Sequence, residues 1–183
     1  FAPEVVKEAT RKHPAAEARY IANDFTSIDF GWVNFTLPGK ETIGMQPDMF
    51  EYVCSKAAAW DCPVSVTAQL EQLKSHPRTS DNLEVIRRWE DARIHNLLND
   101  QQKKELRDST REYFLLLNEE GKCELTEYKQ IENFADRTIP LRAFIFERSG
   151  RTYVVYWNTA GAGKIELNLN KDTVSLYSRF REG

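Results

Sequence analysis

The central part of the chain reads PDMFEYVCSKAAAWDCPVSVT from Pro47 to Thr67. Proline suits the first position of a helix, and apolar side chains then recur on one helical face: Met49, Phe50, Val53, Ala57 and Trp60. The pattern predicts a helix over Pro47–Trp60, which Asp61-Cys62-Pro63 ends. The next residues, Val64–Thr67, are rich in strand formers and predict a short strand.

The residues before this segment show the same alternation of helix and strand. Residues from about Pro3 to Asn23 carry helix formers, with Pro14 as a break. Ile28–Phe35 is rich in strand formers and ends at the turn signal Leu37-Pro38-Gly39. We therefore expect a helix and then a strand on the N-terminal side of the central helix.

The residues after Thr67 predict two further helices. A polar loop at Ser75–Thr79 precedes a long helix that Ser80 or Asp81 can cap. Its buried stripe is expected at Leu83, Ile86, Glu90, Ile94 and Leu97. Asn99 can then cap a short helix that ends near Arg107. Residues 1–108 thus follow the order α-β-α-β-α, which is typical of a parallel sheet or barrel.

From residue 109 onward the pattern predicts strands only, separated by turn signals such as Ser149-Gly150. Regular short strands of this kind indicate a small antiparallel β-sandwich over residues 109–183. The predicted strands are Tyr113–Leu117, Cys123–Tyr128, Arg142–Glu147, Thr152–Trp157, Lys164–Leu169 and Thr173–Tyr177.

The first part offers only two clear strands, and both are too apolar to face water. Two parallel strands flanked by helices need neighbouring strands to form a stable sheet. We therefore expect more βα units before Phe1. The predicted fold class is α/β plus all-β: the C-terminal portion of a (β/α)8 barrel at 1–108, followed by an antiparallel β-sandwich at 109–183.

Composition excludes several classes of protein. The 183 residues are 41% hydrophobic and 29% charged, which excludes a disordered or low-complexity chain. No apolar run approaches the ~20 residues of a membrane span, and the net charge of −3 argues against a nucleic-acid binder. The three cysteines and three histidines lack zinc-ligand spacing, and Gly161-Ala162-Gly163-Lys164 lacks the remaining residues of a phosphate loop. We expect neither a metal nor a cofactor.

Four stretches carry a resemblance to a known class of enzyme: Met49–Val66, Asn82–Arg93, Arg142–Arg148 and Tyr153–Trp157. The first two resemble the last helix-to-strand unit and the closing helix of bacterial (β/α)8 glycoside hydrolases. The other two are similar to the C-terminal β domains of such enzymes, including those of the fucosidase-like kind. The resemblance implies a carbohydrate substrate and a secreted or periplasmic protein. It carries over no catalytic residue, because the two carboxyl groups of these enzymes often lie on middle strands of the barrel.

Loops after the two predicted strands would face the active site of a barrel. Two residues of these loops, Glu41 and Gln69, and two residues of the first strand, Trp32 and Asn34, are candidate sugar contacts. Glu41 has the most favourable position of the carboxylates, with a solvated loop residue as the alternative. Trp32 could stack on a sugar ring or lie in the core. Asn34 and Gln69 could bind sugar hydroxyls or cap loops.

Six further residues have a structural interpretation. Asp24 and Asp29 lie at the beginning of the first strand and are expected to be caps or turn formers, and His76 is expected to be a loop histidine. Tyr153, Tyr156 and Trp157 could form a sugar platform, but their alternation favours packing in a strand.

The predicted function is that of the C-terminal fragment of a glycoside hydrolase, inactive by itself. The alternative is a non-catalytic module that binds carbohydrate or protein. The expected partners are a carbohydrate and either the missing N-terminal part of the same protein or further copies of this chain. The sugar, its linkage and the stereochemical outcome stay open.

Overall fold

A computed structural model describes residues 3–12, 29–108, 110–118, 120–132 and 140–161. The helices are α1 (Pro3–Lys12), α2 (Pro47–Ala59), α3 (Leu70–Ser75), α4 (Thr79–Ile94) and α5 (Asp100–Leu106). The strands are β1 (Trp32–Asn34), β2 (Ser65–Thr67), β3 (Tyr113–Leu117), β4 (Cys123–Gln130), β5 (Leu141–Arg148) and β6 (Arg151–Asn158). The fold is mixed α/β, with a two-stranded parallel sheet and a four-stranded antiparallel sheet.

Most predicted elements are confirmed within these residues, with differences at their ends. Leu70–Ser75 forms a short helix, where the sequence pattern predicts a loop. The backbone N–H of Gln69 donates to Oε1 of Gln72 at 2.8 Å, which satisfies one of the first donors of this helix. The second half of the predicted first helix and the predicted strands Lys164–Leu169 and Thr173–Tyr177 lie outside the described residues.

The parallel pair of β1 and β2 has one covered face and one open face. Val33 lies opposite Val66 in the register, and both pack on the core beneath helices α2 and α4. Their neighbours Trp32 and Asn34, opposite Ser65 and Thr67, point to the other side because side chains alternate along a strand. Helices α2 and α4 therefore cover the same face of this sheet.

Helix α2 is buried on all sides, which differs from the single apolar face that its sequence predicts. Three of its charged residues, Asp48, Glu51 and Lys56, are buried together with the apolar ones. Buried charges need partners, and the antiparallel sheet and the segment before it supply several of them.

The buried stripe predicted for helix α4 is wrong, because none of its five positions is buried. Ile86 and Glu90 are only partly buried. Leu83, Ile94 and Leu97 are exposed. The face that packs on the core is rotated and carries Asp81, Asn82, Val85, Trp89 and Ala92. The physical reason is the size of Trp89, because an indole ring removes more apolar surface from water than an isoleucine does.

The antiparallel sheet has the strand order β3-β4-β5-β6. Its strand β4 pairs with β3 through residues 123–127 and with β5 through residues 128–130. Phe114, Tyr128 and Phe144 form the buried centre of an aromatic cluster on one face of the sheet. Trp157 stacks on Phe144 with ring centroids 5.3 Å apart, which confirms packing rather than a sugar platform for Trp157.

The helices and the antiparallel sheet share one core. Leu106, Tyr113 and Leu115 lie on both sides of the predicted boundary at 108/109, and they belong to the same apolar cluster as Phe50 of α2 and Trp89 of α4.

Lys56 stabilises the segment that joins the two parts. Its Nζ donates to the carbonyl oxygens of Leu106, Asp108 and Arg111 at 2.8, 2.7 and 3.0 Å. Burial lowers the pKa of this amine to about 8. A charged lysine so placed can satisfy carbonyls at the end of α5 that have no helical partner.

Candidate functional site

The open face of the parallel pair carries two of the predicted site residues. The Trp32 side chain is 81% exposed, so the alternative that places it in the core is wrong. Asn34 is two residues further along β1, on the same face and also exposed. An exposed indole beside an amide gives this face an apolar surface and a hydrogen-bonding group next to each other.

Trp32 and Asn34 line a cleft of about 310 Å³. Helix α1 forms one wall, and strand β1, the loop after it and helix α2 form the other walls. The cleft therefore extends beyond the open face to Val33 and to Met49 and Val53 of α2. The lining residues are Val5, Val6, Ala9, Thr10, Phe30, Gly31, Trp32, Val33, Asn34, Thr36, Thr42, Gly44, Met45, Met49 and Val53. The cleft is thus mainly apolar, with hydroxyl and amide groups among its lining, as is typical of small-molecule sites.

The loop after β1 has its shape because residue 44 is glycine. Gly44 has a φ of +68°, and a Cβ atom there would lie 2.6 Å from the backbone nitrogen of Pro38. Only glycine permits this close approach, because it has no Cβ atom, and it adopts this dihedral angle without steric cost. The amide of Met45 then donates to the carbonyl oxygen of Thr36 at 2.9 Å, and the loop returns Thr42 and Met45 to the cleft.

Glu41 and Gln69 lie apart from the cleft lining. Glu41 is exposed in a turn that the bridge between Gly39 and Thr42 closes, directly beside the lining residue Thr42. Gln69 follows β2 and is the N-cap residue of α3, in line with the capping alternative for this residue. The structure therefore brings together Trp32 and Asn34 but not all four candidates.

Thr10 is a lining residue that sequence reasoning missed. It lies on α1, where its hydroxyl donates to the carbonyl oxygen of Val6 at 2.9 Å. No local pattern could identify it, because its proximity to β1 depends on how α1 packs against the rest of the chain.

Asp29 has the structural role that its position predicts. Its Oδ1 accepts from the backbone N–H of Gly31 at 2.8 Å, and its Oδ2 accepts from the hydroxyl of Ser65. It thereby connects the beginnings of β1 and β2, at the end of the strands opposite to the loop that carries Glu41. Asp24 lies outside the described residues.

His76 is buried, although its sequence context suggested an ordinary loop residue. Its side chain is 4% exposed and packs edge-on against Phe35, with ring centroids 5.0 Å apart. Its Nδ1 accepts from the backbone N–H of Arg78 at 3.0 Å. Burial lowers the pKa of His76 by more than the backbone of Met45 raises it. His76 thus joins the end of β1 to the turn between α3 and α4.

Acid is expected to destabilise the protein through His76. Its pKa lies below the ordinary 6.5, so the unfolded chain takes up a proton first as the pH falls. The stability contribution of His76 is therefore complete above pH 6.5 and is lost as the pH falls through the lowered pKa. The measurement is urea unfolding at about pH 7.5 and about pH 5 for the parent protein and for His76→Gln.

The variant should lose less stability between the two pH values than the parent protein. His95→Gln is the matched control, because His95 is exposed on the C-cap of α4. An equal loss of stability in the parent and in His76→Gln would contradict a role for this imidazole.

The surroundings of the three cysteines disfavour the thiolate form. Cys54 and Cys62 are buried and Cys123 is partly buried, and burial raises the pKa of each thiol. A raised pKa keeps a thiol in its unreactive protonated form. Among the described residues, no three His, Cys, Asp or Glu side chains are grouped so that they could hold a metal ion.

Comparison with family models, with curated proteins and with solved structures gives no match to this chain. None of the helices in the described ranges combines the length and the apolar character needed to cross a bilayer.

Proposed function

We propose that this chain is the C-terminal part of a carbohydrate-processing enzyme of the (β/α)8 glycoside hydrolase type, and that Trp32 and Asn34 contact the sugar. The observation that carries the proposal is the parallel pair β1 and β2, with α2 and α4 on one face and with Trp32 and Asn34 on the other. In a (β/α)8 barrel the helices lie outside and the opposite faces of the strands point inward.

The position of the loop after β1 also supports this proposal. Active sites of (β/α)8 barrels lie at the C-terminal ends of the strands, and this loop supplies Thr36 and Thr42 to the cleft. Glycoside hydrolysis needs two carboxyl groups at the scissile bond. The described lining of the cleft contains none, so the proposal assigns binding rather than catalysis to these residues. It also assigns β3–β6 to the terminal β-sandwich of such an enzyme.

The first test is the intact mass of the protein from its native source, together with hydrolysis of a panel of glycosides by that protein. A mass above 21.2 kDa with glycosidase activity is the expected result. A mass of 21.2 kDa would contradict the enzyme fragment and favour the non-catalytic binding module instead.

Trp32→Ala in the native-length protein is expected to weaken the binding of oligosaccharides about 10-fold, equivalent to about 1.4 kcal/mol. The reason is the loss of the exposed ring that would stack on the sugar, and the measurement is calorimetric titration with neutral oligosaccharides. The free energy of unfolding should change little, because the ring is already in water.

Leu70→Ala is the matched control for this variant, because Leu70 is also a large exposed apolar residue but does not line the cleft. Sugar affinity that is the same in Trp32→Ala and in the parent would overturn the assignment of Trp32.

A further inference from the structure

We infer that the cleft between α1 and β1 accepts an uncharged sugar unit and rejects acidic sugars such as uronates. This inference rests on the proposed function, since it names the class of substrate for the same site. It follows from the chemistry of the lining rather than from any single residue.

No ionisable side chain occurs among the described residues that line the cleft. A carboxylate or sulfate that enters such a space gives up its hydration without meeting a cation, which is costly. An uncharged hydroxyl loses much less, and it can bond to a threonine hydroxyl or an asparagine amide. The described part of the lining therefore favours an uncharged ligand over an anionic one.

The cations of α1 are directed elsewhere. Lys7 lies within 2.7 Å of both carboxylate oxygens of Glu112, and the guanidinium of Arg11 lies over the ring of Tyr52. The Nζ of Lys12 lies 2.7 Å from a carboxylate oxygen of Glu8 on the same helix. Lys40 and Glu41 precede the lining residue Thr42 in the chain and are of opposite sign, so together they add no net formal charge beside it. None of these groups supplies a cation to the lining.

The remaining features of the cleft match a sugar ring. A pyranose has an apolar C–H face and a rim of hydroxyl groups, and the cleft has apolar walls with Thr36, Thr42 and Asn34 among its lining. Its volume of about 310 Å³ is at the small end of the range for ligand pockets. It suits one or two sugar rings rather than a long segment of polysaccharide.

The test compares matched sugars that differ only at C6, which carries a hydroxymethyl group in one and a carboxylate in the other, using the native-length protein. The probes are methyl β-glucoside against methyl β-glucuronide, and methyl β-galactoside against methyl β-galacturonide, followed by saturation-transfer NMR. At least one neutral probe is expected to bind 10-fold or more tightly than its acidic counterpart. Equal or tighter binding of the acidic probes would overturn the inference and leave the proposed function standing. No binding of any probe would overturn both.

A cation placed in the lining should change this preference. Ala9 is exposed on α1 and lines the cleft, so Ala9→Lys adds a charge at little structural cost. We expect the neutral-to-acidic affinity ratio to fall by about 10-fold in this variant. Leu83→Lys is the control, because Leu83 is exposed on α4 away from the cleft. A ratio that falls equally in both variants, or in neither, would contradict the assignment of the cleft.

Discussion

Glu51→Ala is expected to lower the free energy of unfolding by about 3–5 kcal/mol. Glu51 is buried on α2 and accepts from Nε1 of Trp89 at 2.5 Å and from Nη2 of Arg88 at 3.0 Å. Arg88 in turn donates to the carbonyl oxygen of Leu115, on strand β3. Removal of the carboxylate leaves a partly buried guanidinium and a buried indole N–H without this acceptor.

Equilibrium unfolding in guanidinium chloride measures this effect. Glu51→Gln should be less damaging than Glu51→Ala, because an amide oxygen can still accept from Trp89. Glu71→Ala is the control: Glu71 pairs with Lys74 at 2.9 Å on the surface, and its loss should cost at most about 1 kcal/mol. Similar losses for Glu51→Ala and Glu71→Ala would show that the buried network contributes no more than a surface ion pair.

Asp48→Ala is also expected to lower the free energy of unfolding by about 3–5 kcal/mol. Asp48 lies in the first turn of α2 and accepts from Nε and Nη2 of Arg142, on β5, at 3.0 and 2.5 Å. Both side chains are buried, and Arg142 also donates to Oε1 of Gln130 at 3.3 Å. Without Asp48, the charge of Arg142 stays in the core and lacks its bidentate partner.

A double variant distinguishes the charge effect from simple loss of packing. Asp48→Leu combined with Arg142→Met should be more stable than either single variant, because no uncompensated charge remains. Glu127→Ala is the matched control for Asp48→Ala, since Glu127 forms a 2.6 Å pair with Arg111 on the exposed side of the sheet. If the double variant lowers the free energy of unfolding by the sum of the two single effects, the argument is contradicted, because the two residues would then be energetically independent.

The buried charges of α2 illustrate the limit of local sequence patterns. The segment after Pro47 has a clear apolar periodicity, and the helix it predicts is confirmed. Charged residues are almost never fully buried without partners, so the same pattern gives no reason to expect Asp48, Glu51 and Lys56 in the core. Arg142, which pairs with Asp48, lies 94 residues after it in the chain. Leu115, whose backbone N–H donates to Glu51, lies 64 residues after Glu51. A rule based on neighbouring residues cannot identify partners that are so far apart in the sequence.

Only part of the candidate site could likewise be predicted from the sequence. Sequence reasoning selected Trp32 and Asn34, and the structure places both in one cleft. It left the burial of Trp32 open, because strand alternation shows that two faces exist but not which face is covered. It missed Thr10, because the approach of α1 to β1 is a tertiary event, and it did not predict the burial of His76 for the same reason.

The amino-acid sequence by itself determined the order of most helices and strands, the change from α/β alternation to strands near residue 108, and the low net charge. These properties depend on periodicity and on turn residues, which act over a few positions. Only the tertiary structure decided which face of α4 is buried, which charges enter the core and where a cleft opens. Burial is decided by which distant segments meet, because the same helix or strand can cover either face until a neighbour packs against it.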